Sequence, residues 1–280
     1  MAYSGTSEER SAALLRSYEQ LLAIRHCELR LQRLFAEGEV PGFIHLGIGQ
    51  EAISVGVMST LGPADTIAST HRGHGHALAK GMPLEGFFAE LLARDTGVCR
   101  GRGGSMHVAD MSIGMLGANG IVGAGLSIAT GSALAHKLKG NGQIAVSFFG
   151  DGALAEGLLH ECGNMAALMQ LPLLLVCEAN GWSEFSPVSS QIAFDLAKWS
   201  GAYGIAYRQV DGNDVVALVD VVERVGEPAG VEHLVEGRRH VAFEHLPSTA
   251  AGFDEPSAVD LHRLAAGNGV DDLDRLRNLV

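Results

Sequence analysis

The sequence predicts an α/β protein with a mostly parallel sheet flanked by helices on both faces. Three observations predict it. Two short, largely apolar runs, Ile144 to Phe149 (IAVSFF) and Leu173 to Cys177 (LLLVC), read as strands buried on both sides. Residues 155–169 between them have helical spacing, so the stretch is a strand–loop–helix–strand βαβ unit. Glycine contributes 37 of 280 residues, nearly twice the usual roughly 7%. The glycines gather at 97–104, 114–131 and 140–157, between apolar runs. Glycine there permits positive φ and close backbone approach, which suits ligand-binding loops at strand ends.

The remaining elements follow from the same periodicities. Leu14, Leu15, Tyr18, Leu21, Leu22, Ile24, Leu29, Leu31 and Leu34 recur at helical spacing and predict one helix over 8–36. Glu37-Gly38 and Pro41-Gly42 end it. Residues 49–61 read as a second helix and Asp65 to Ser69 as a short strand. The histidine-rich HRGHGHALAKG follows at 71–81, and its HRGHGH at 71–76 reads as a loop. A helix over 83–94 leads into the first glycine loop, and Gly123 to Lys139 is a helix of small residues. After the βαβ unit come a helix at 193–203, a strand at Tyr207 to Val210 and a helix at 214–225. There is no internal repeat. Beyond Gly226 periodicity weakens, which places one α/β domain at 1–235 and a short carboxyl-terminal segment at 236–280.

Composition narrows the function classes. A net charge of −12, an isoelectric point near 5.4 and no basic stripe argue against a nucleic-acid binder. Mean hydropathy is high at +0.17, yet no run reaches the roughly 18 apolar residues of a membrane span. The excess apolar material is expected in a doubly covered sheet and in surface that meets other subunits. Cys27, Cys99, Cys162 and Cys177 are far apart and form no CxxC, which suits reduced thiols in a cytoplasmic protein. The opening MAYSGTSEERSAALL lacks a basic stretch followed by an apolar run, so no secretory signal is expected.

The strongest chemical signal is Gly150-Asp151-Gly152 after one strand and Asn180-Gly181 after the next. In an open parallel sheet ligands bind beyond the carboxyl ends of the strands, so Asp151 and Asn180 can reach one point. A carboxylate and a carboxamide oxygen are hard ligands that suit magnesium or calcium bridging to a diphosphate. Gly150 and Gly152 admit a phosphate close to the backbone, and N–H groups at the start of the following helix can donate to it. His71, His74, His76 and His107 crowd the glycine loops and suggest zinc as a rival. The spacing on a loop without a nearby cysteine is poor for that metal.

Here a resemblance becomes specific. GDGALAEGLLHECGNMAALMQLPLLLVCEANGW at 150–182 resembles the thiamine diphosphate motif. More narrowly it resembles the α subunit of the E1 component of 2-oxo acid dehydrogenases and acetoin dehydrogenase. HLGIGQEAISVG at 45–56, HRGHGHALAKG at 71–81, GRGGSMHVAD at 101–110 and GANGIVGAG at 117–125 are similar to further signatures, in the family's order. The likeness covers about residues 10–225 and implies the thiamine diphosphate-binding fold. It implies that Asp151 and Asn180 hold magnesium by their side chains and Trp182 by its carbonyl. Ala179 stands where the family usually has a first asparagine. The resemblance also implies that Arg72 pairs with the diphosphate and that Gly150, Gly152 and Ala153 lie along it. Gly120 and Val122 match backbone positions that meet the aminopyrimidine. The family often has Tyr at the place of His71. His107 is implied to stand near the reacting carbon, where it could hydrogen-bond an oxyanion or move a proton. Gln50, Glu51, Arg100 and Arg102 are secondary candidates. In VEHLVEGRRHVAFEHL at 231–246, His245 is the best match to a further family histidine.

The implied activity is cleavage of a 2-oxo acid or acyloin, with the acyl fragment passed to an acceptor. The chemistry also needs a carboxylic acid against the pyrimidine, which the family takes from a transketolase-like β subunit. The resemblance therefore implies an oxidoreductase subunit with half an active site, completed in an α2β2 assembly. A lipoyl acyltransferase is one implied acceptor. A two-subunit carboligase acting on an aldehyde is the alternative enzyme, and a family member without catalysis is the alternative of another class.

Overall fold

The computed structural model describes residues 6–225 and 233–238. Helix α1 (Ser7–Ala36) begins at a capping box, where Thr6 Oγ1 accepts from the Glu9 N–H and the Glu9 carboxylate accepts from the Thr6 N–H. Then come α2 (Glu51–Met58), β1 (Thr66–Ala68), α3 (His74–Ala79), α4 (Leu84–Leu91), β2 (Met115–Gly117), α5 (Ala124–Lys139) and β3 (Ala145–Gly150). They are followed by α6 (Gly157–Met169), β4 (Leu173–Ala179) and a small hairpin of β5 (Trp182–Ser183) and β6 (Ser186–Pro187). The last described elements are α7 (Leu196–Tyr203), β7 (Ala206–Asp211), α8 (Val215–Val225) and β8 (His233–Arg238).

Six strands form one sheet in the order β2-β1-β3-β4-β8-β7. Every neighbouring pair in it is parallel. Successive side chains alternate between its two faces. Ile67, Val146, Phe148, Leu174 and Val176 pack with Ile24 and Leu31 of α1, Ile53 and Val55 of α2, and Leu218 of α8. Ala68, Ala145, Phe149, Leu173, Leu175 and Cys177 pack on the other face with Leu126 and Ala129 of α5, Leu159 of α6 and Trp199 of α7. Small residues on α5 and α6 serve this packing. A Cβ on Gly163 would lie 2.6 Å from the Trp199 ring, so α6 and α7 meet this closely only with glycine there.

Strand order explains where a ligand can bind. β1 and β3 are neighbours, yet the chain runs from β1 to the edge strand β2 before returning to β3 on the other side. Connections leaving in opposite directions open a crevice at the carboxyl ends of β1 and β3. The segments after β1, β3 and β4 all begin at that end.

The structure corrects the local reading in three places. HRGHGH is not all loop, because α3 starts at His74. Its buried residues include His74 and His76 beside Ala77 and Ala79, which conceals the helical period. Asp151–Ala155 forms a separate 3-10 turn before α6 starts at Gly157. β2 and β8 were not legible as strands. β2 has three residues beside a glycine loop, and β8 owes its conformation to pairing with β4 and β7 on either side.

Candidate active site

The segment after β1 carries the first group. Thr70 Oγ1 accepts from the Arg72 N–H at 3.1 Å, and Arg72 Nη1 donates to the Leu46 carbonyl at 2.6 Å. A Cβ on Gly73 would sit 2.8 Å from Ser69 Oγ and 3.0 Å from Ala118 Cβ, so this turn requires glycine and touches the 117–125 segment. Burial lowers the Arg72 pKa from its ordinary value, against the opposing pull of Glu178 and Glu28. A guanidinium stripped of water in this way is prepared for an anion. The His71 and His45 rings meet edge to face with centroids 4.8 Å apart. Burial, followed by the Arg72 charge, lowers His71 to about 4 and depresses His45 as well. His45 Nδ1 is buried without a hydrogen-bond partner among the described residues. Two neutral imidazoles therefore flank Arg72.

The second group follows β3 and β4. Asp151 is 5% exposed. Its Oδ2 accepts from the Gly181 N–H at 2.7 Å, while Oδ1 is buried with no partner among the described residues. Burial raises its pKa to about 6, against four nearby backbone N–H groups. Asn180 Oδ1 accepts from the Trp182 N–H at 2.8 Å and closes the turn. Gly181 thus ties Asp151 to the turn that carries Asn180 and Trp182. A Cβ on Gly152 would lie 2.7 Å from Ser183 Oγ, so the turn after β3 packs directly on β5. Ala153 is buried in that turn. Among the described residues no three His, Cys, Asp or Glu converge as a metal group. A cation here would be held by Asp151 together with neutral oxygens, and the unpartnered Oδ1 fits that use.

The third group joins His107 and Gly120. A Cβ on Gly120 would lie 3.6 Å from His107 Nε2, which places the exposed imidazole beside that backbone. Asn119 Oδ1 accepts from the Ile121 N–H at 2.8 Å and shapes the turn before Val122, which is half exposed. Gly123, at φ +79°, then starts α5. The groups are linked. Gly73 touches Ala118, and the charge of Glu184, just past β5, acts on His45.

Some candidates have other work. Glu51 is buried and binds Arg25 with both oxygens, at 2.6 and 3.2 Å, and it also accepts from the Gly49 N–H. It anchors the 47–51 turn to α1. Arg100 and Arg102 are exposed, and His245 lies outside the described residues. His74 is held on both ring nitrogens, by Glu28 and Ser105, whereas His76 pairs through Nδ1 with Ser69 and stacks on Phe148 at 3.9 Å, its Nε2 lying 3.5 Å from Glu178 Oε1. Sequence reasoning did not single out His45 or Glu90. The signal for Glu90 was a second carboxylate, past Glu85 of the first turn, set between Ala89 and Leu91 in the largely apolar helix LEGFFAEL.

A protein-family model described as dehydrogenase E1 component matches residues 19–232. The α subunit of acetoin:2,6-dichlorophenolindophenol oxidoreductase from Bacillus subtilis is 45% identical over 237 residues, covering 83% of this chain and 71% of the relative. The same subunit from Cupriavidus necator is 42% identical over 252 residues, covering 88% and 75%. The pyruvate dehydrogenase E1 component α subunit from Rhizobium meliloti is 38% identical over 233 residues, covering 83% and 66%. All four cysteines are free thiols, as expected. No helix among the described residues is long and apolar enough to cross a membrane.

Proposed function

Because the chain belongs to the dehydrogenase E1 component family, we propose that it is the α subunit of a two-subunit thiamine diphosphate oxidoreductase. That enzyme cleaves an acyloin or a 2-oxo acid and passes the acyl fragment to an acceptor. The single observation that carries the reading is Asp151, a buried carboxylate with one oxygen unpartnered beside the Asn180 turn. Magnesium would be held there by Asp151 Oδ1, the Asn180 carboxamide oxygen and the Trp182 carbonyl. Asn180 Oδ1 already accepts from the Trp182 N–H but has a second lone pair for the cation. Arg72 would clamp the diphosphate, with Gly150, Gly152 and Ala153 giving it a close backbone path.

When bound, thiamine diphosphate supplies the nucleophilic carbon that attacks the substrate carbonyl. The residues of this chain would do the rest on their side of the site. Gly120 and Val122 would meet the pyrimidine ring with their backbone. His107, beside Gly120, would donate a hydrogen bond to the carbonyl oxygen as it gains charge. The neutral His71 and His45 can donate to an oxygen without adding charge next to Arg72. The carboxylic acid that must face the pyrimidine would come from a transketolase-like β subunit, in an α2β2 assembly, and a lipoyl acyltransferase is one candidate acceptor.

Calorimetry tests the carrying observation. The co-expressed assembly is expected to bind thiamine diphosphate with magnesium, and Asp151→Ala to lose most of that affinity. Equal affinity in the two proteins would remove Asp151 from the metal site. Reduction of 2,6-dichlorophenolindophenol with acetoin or pyruvate then ranks the substrates.

A further inference from the structure

We propose that Glu90 and the Glu28–His74 pair are positioning residues that hold the loop bearing His107 in one preformed conformation. The proposal rests on the role given to His107 above. Glu90 lies on α4 and is fully buried. Its Oε2 accepts from the Cys99 N–H at 2.7 Å and the Gly101 N–H at 2.8 Å. Its Oε1 accepts from the Gly103 N–H at 2.7 Å and the Gly104 N–H at 3.1 Å. A carboxylate has about four acceptor directions, and here all of them are filled by the backbone of one loop. Burial acts against the charge, yet the four N–H groups outweigh it and hold the pKa below the usual carboxylate value.

The chain has little freedom to take another path. A Cβ on Gly97 would lie 2.5 Å from Glu90 Cα, and Gly101 needs φ +69°. A Cβ on Gly103 would lie 2.5 Å from the His107 carbonyl oxygen. The loop folds back on itself, and the strand of backbone gripped by Glu90 rests directly on the backbone of His107.

A second tether enters from the other side. His74 Nε2 meets Ser105 Oγ at 2.8 Å, and His74 Nδ1 meets Glu28 Oε1 at 3.1 Å. Both His74 and Glu28 are fully buried. This chain of contacts links α1 and α3 to a residue two places before His107. The loop backbone is therefore pinned at 99, 101, 103 and 104 by one carboxylate, and the Ser105 side chain is tied to a second carboxylate through an imidazole. The His107 ring itself is exposed, beside Gly120. Buried carboxylates are a poor source of stability compared with apolar packing of the same volume. What they supply is a unique backbone path, and a proton donor displaced by about 1 Å can lose on the order of a hundredfold in rate.

The test uses the co-expressed α/β assembly with thiamine diphosphate and magnesium, acetoin and pyruvate as probes, and dye reduction as the readout. Glu90→Gln keeps the size of the side chain but turns an NH2 group toward loop N–H donors. We expect kcat to fall roughly ten- to a hundredfold with the cofactor Kd unchanged. Hydrogen exchange on the assembly and on the unloaded chain is expected to quicken at 99–104 and to stay unchanged in β3 and β4. Ser105→Ala removes only the second tether and is expected to lower kcat less, in the same direction. Wild-type kcat despite faster loop exchange would overturn the proposal. So would a joint loss of kcat, cofactor affinity and sheet protection, which marks a merely structural role. If Glu90→Gln does not fold, Ser105→Ala decides, and wild-type kcat there overturns the proposal. His107→Ala separates the two levels. Full kcat in that variant sinks the role of His107 itself, whereas lost kcat there beside full kcat in Glu90→Gln sinks only the positioning.

Discussion

Asp151→Asn is expected to make the metal-free protein more stable while removing its capacity to bind cofactor. Asp151 is 5% exposed, and its one hydrogen-bonded oxygen is matched by one with no partner among the described residues. Burial raises its pKa from 3.8 to about 6. The folded value lies above the unfolded one, so the group's stabilising share is full below pH 3.8 and is lost as pH rises through about 6. At pH 7.5 the metal-free fold carries a buried anion it would rather protonate. About two pKa units at ~1.4 kcal/mol each set that penalty at about 3 kcal/mol. An asparagine keeps an oxygen for the Gly181 N–H and removes the charge. In chelator at pH 7.5 the variant should gain about 2–3 kcal/mol, roughly 5–10 °C in Tm for a fold of this size. The gain should shrink to nothing by pH 4. Thermal unfolding across that pH range reads the first effect, and calorimetry with thiamine diphosphate and magnesium reads the second. A variant no more stable than the parent at pH 7.5, or a gain that persists at pH 4, would refute the reasoning. In the first case the orphaned oxygen is not a strained site waiting for a cation.

Other outcomes follow from particular contacts. Arg72→Lys forfeits the planar grip on a diphosphate and the bond to the Leu46 carbonyl, and a charged hydrogen bond of about 1.5–3 kcal/mol corresponds to a cofactor Kd raised roughly ten- to a hundredfold. Wild-type affinity by calorimetry would place Arg72 elsewhere. Gly163→Ala would push a Cβ to 2.6 Å from the Trp199 ring, which is held by an indole N–H bond to His160 Nδ1, and a loss of about 1–3 kcal/mol in urea unfolding is expected. Because the folded pKa of Glu90 is depressed, its hold on the glycine loop should be complete at neutral pH and fail only as pH falls below the usual carboxylate range. Exchange protection at 99–104, corrected for intrinsic rates, checks this, and loosening near pH 6 would contradict it. The chain purified without a β subunit should fail to turn over acetoin or pyruvate, and robust turnover would locate the activating acid in this sequence.

Much of the architecture is local and could be read from the chain. The strands 144–149 and 173–177 declare themselves as short unbroken apolar runs, and the helix between them and α1 by their helical period, because burial of a strand on both faces and exposure along one helix face are written in local composition. The same holds for Asp151 and Asn180. Each stands one residue past a strand, and the carboxyl ends of parallel strands lie side by side. The family motifs supplied the cofactor. What the chain could not show is which distant groups would meet. The sheet order, with β8 inserted between β4 and β7, depends on pairings across long separations that no window contains. α3 was hidden because two of its buried residues are histidines, and these sit there with Glu28, Ser69 and Ser105 arriving from elsewhere to bind them. Glu90 drew no notice in the sequence, because its four partners are backbone N–H groups of the 97–104 loop that only folding brings onto it. The reason is the same in each case. Burying a polar group is unfavourable until a partner satisfies it, and whether that partner exists is decided by tertiary structure alone.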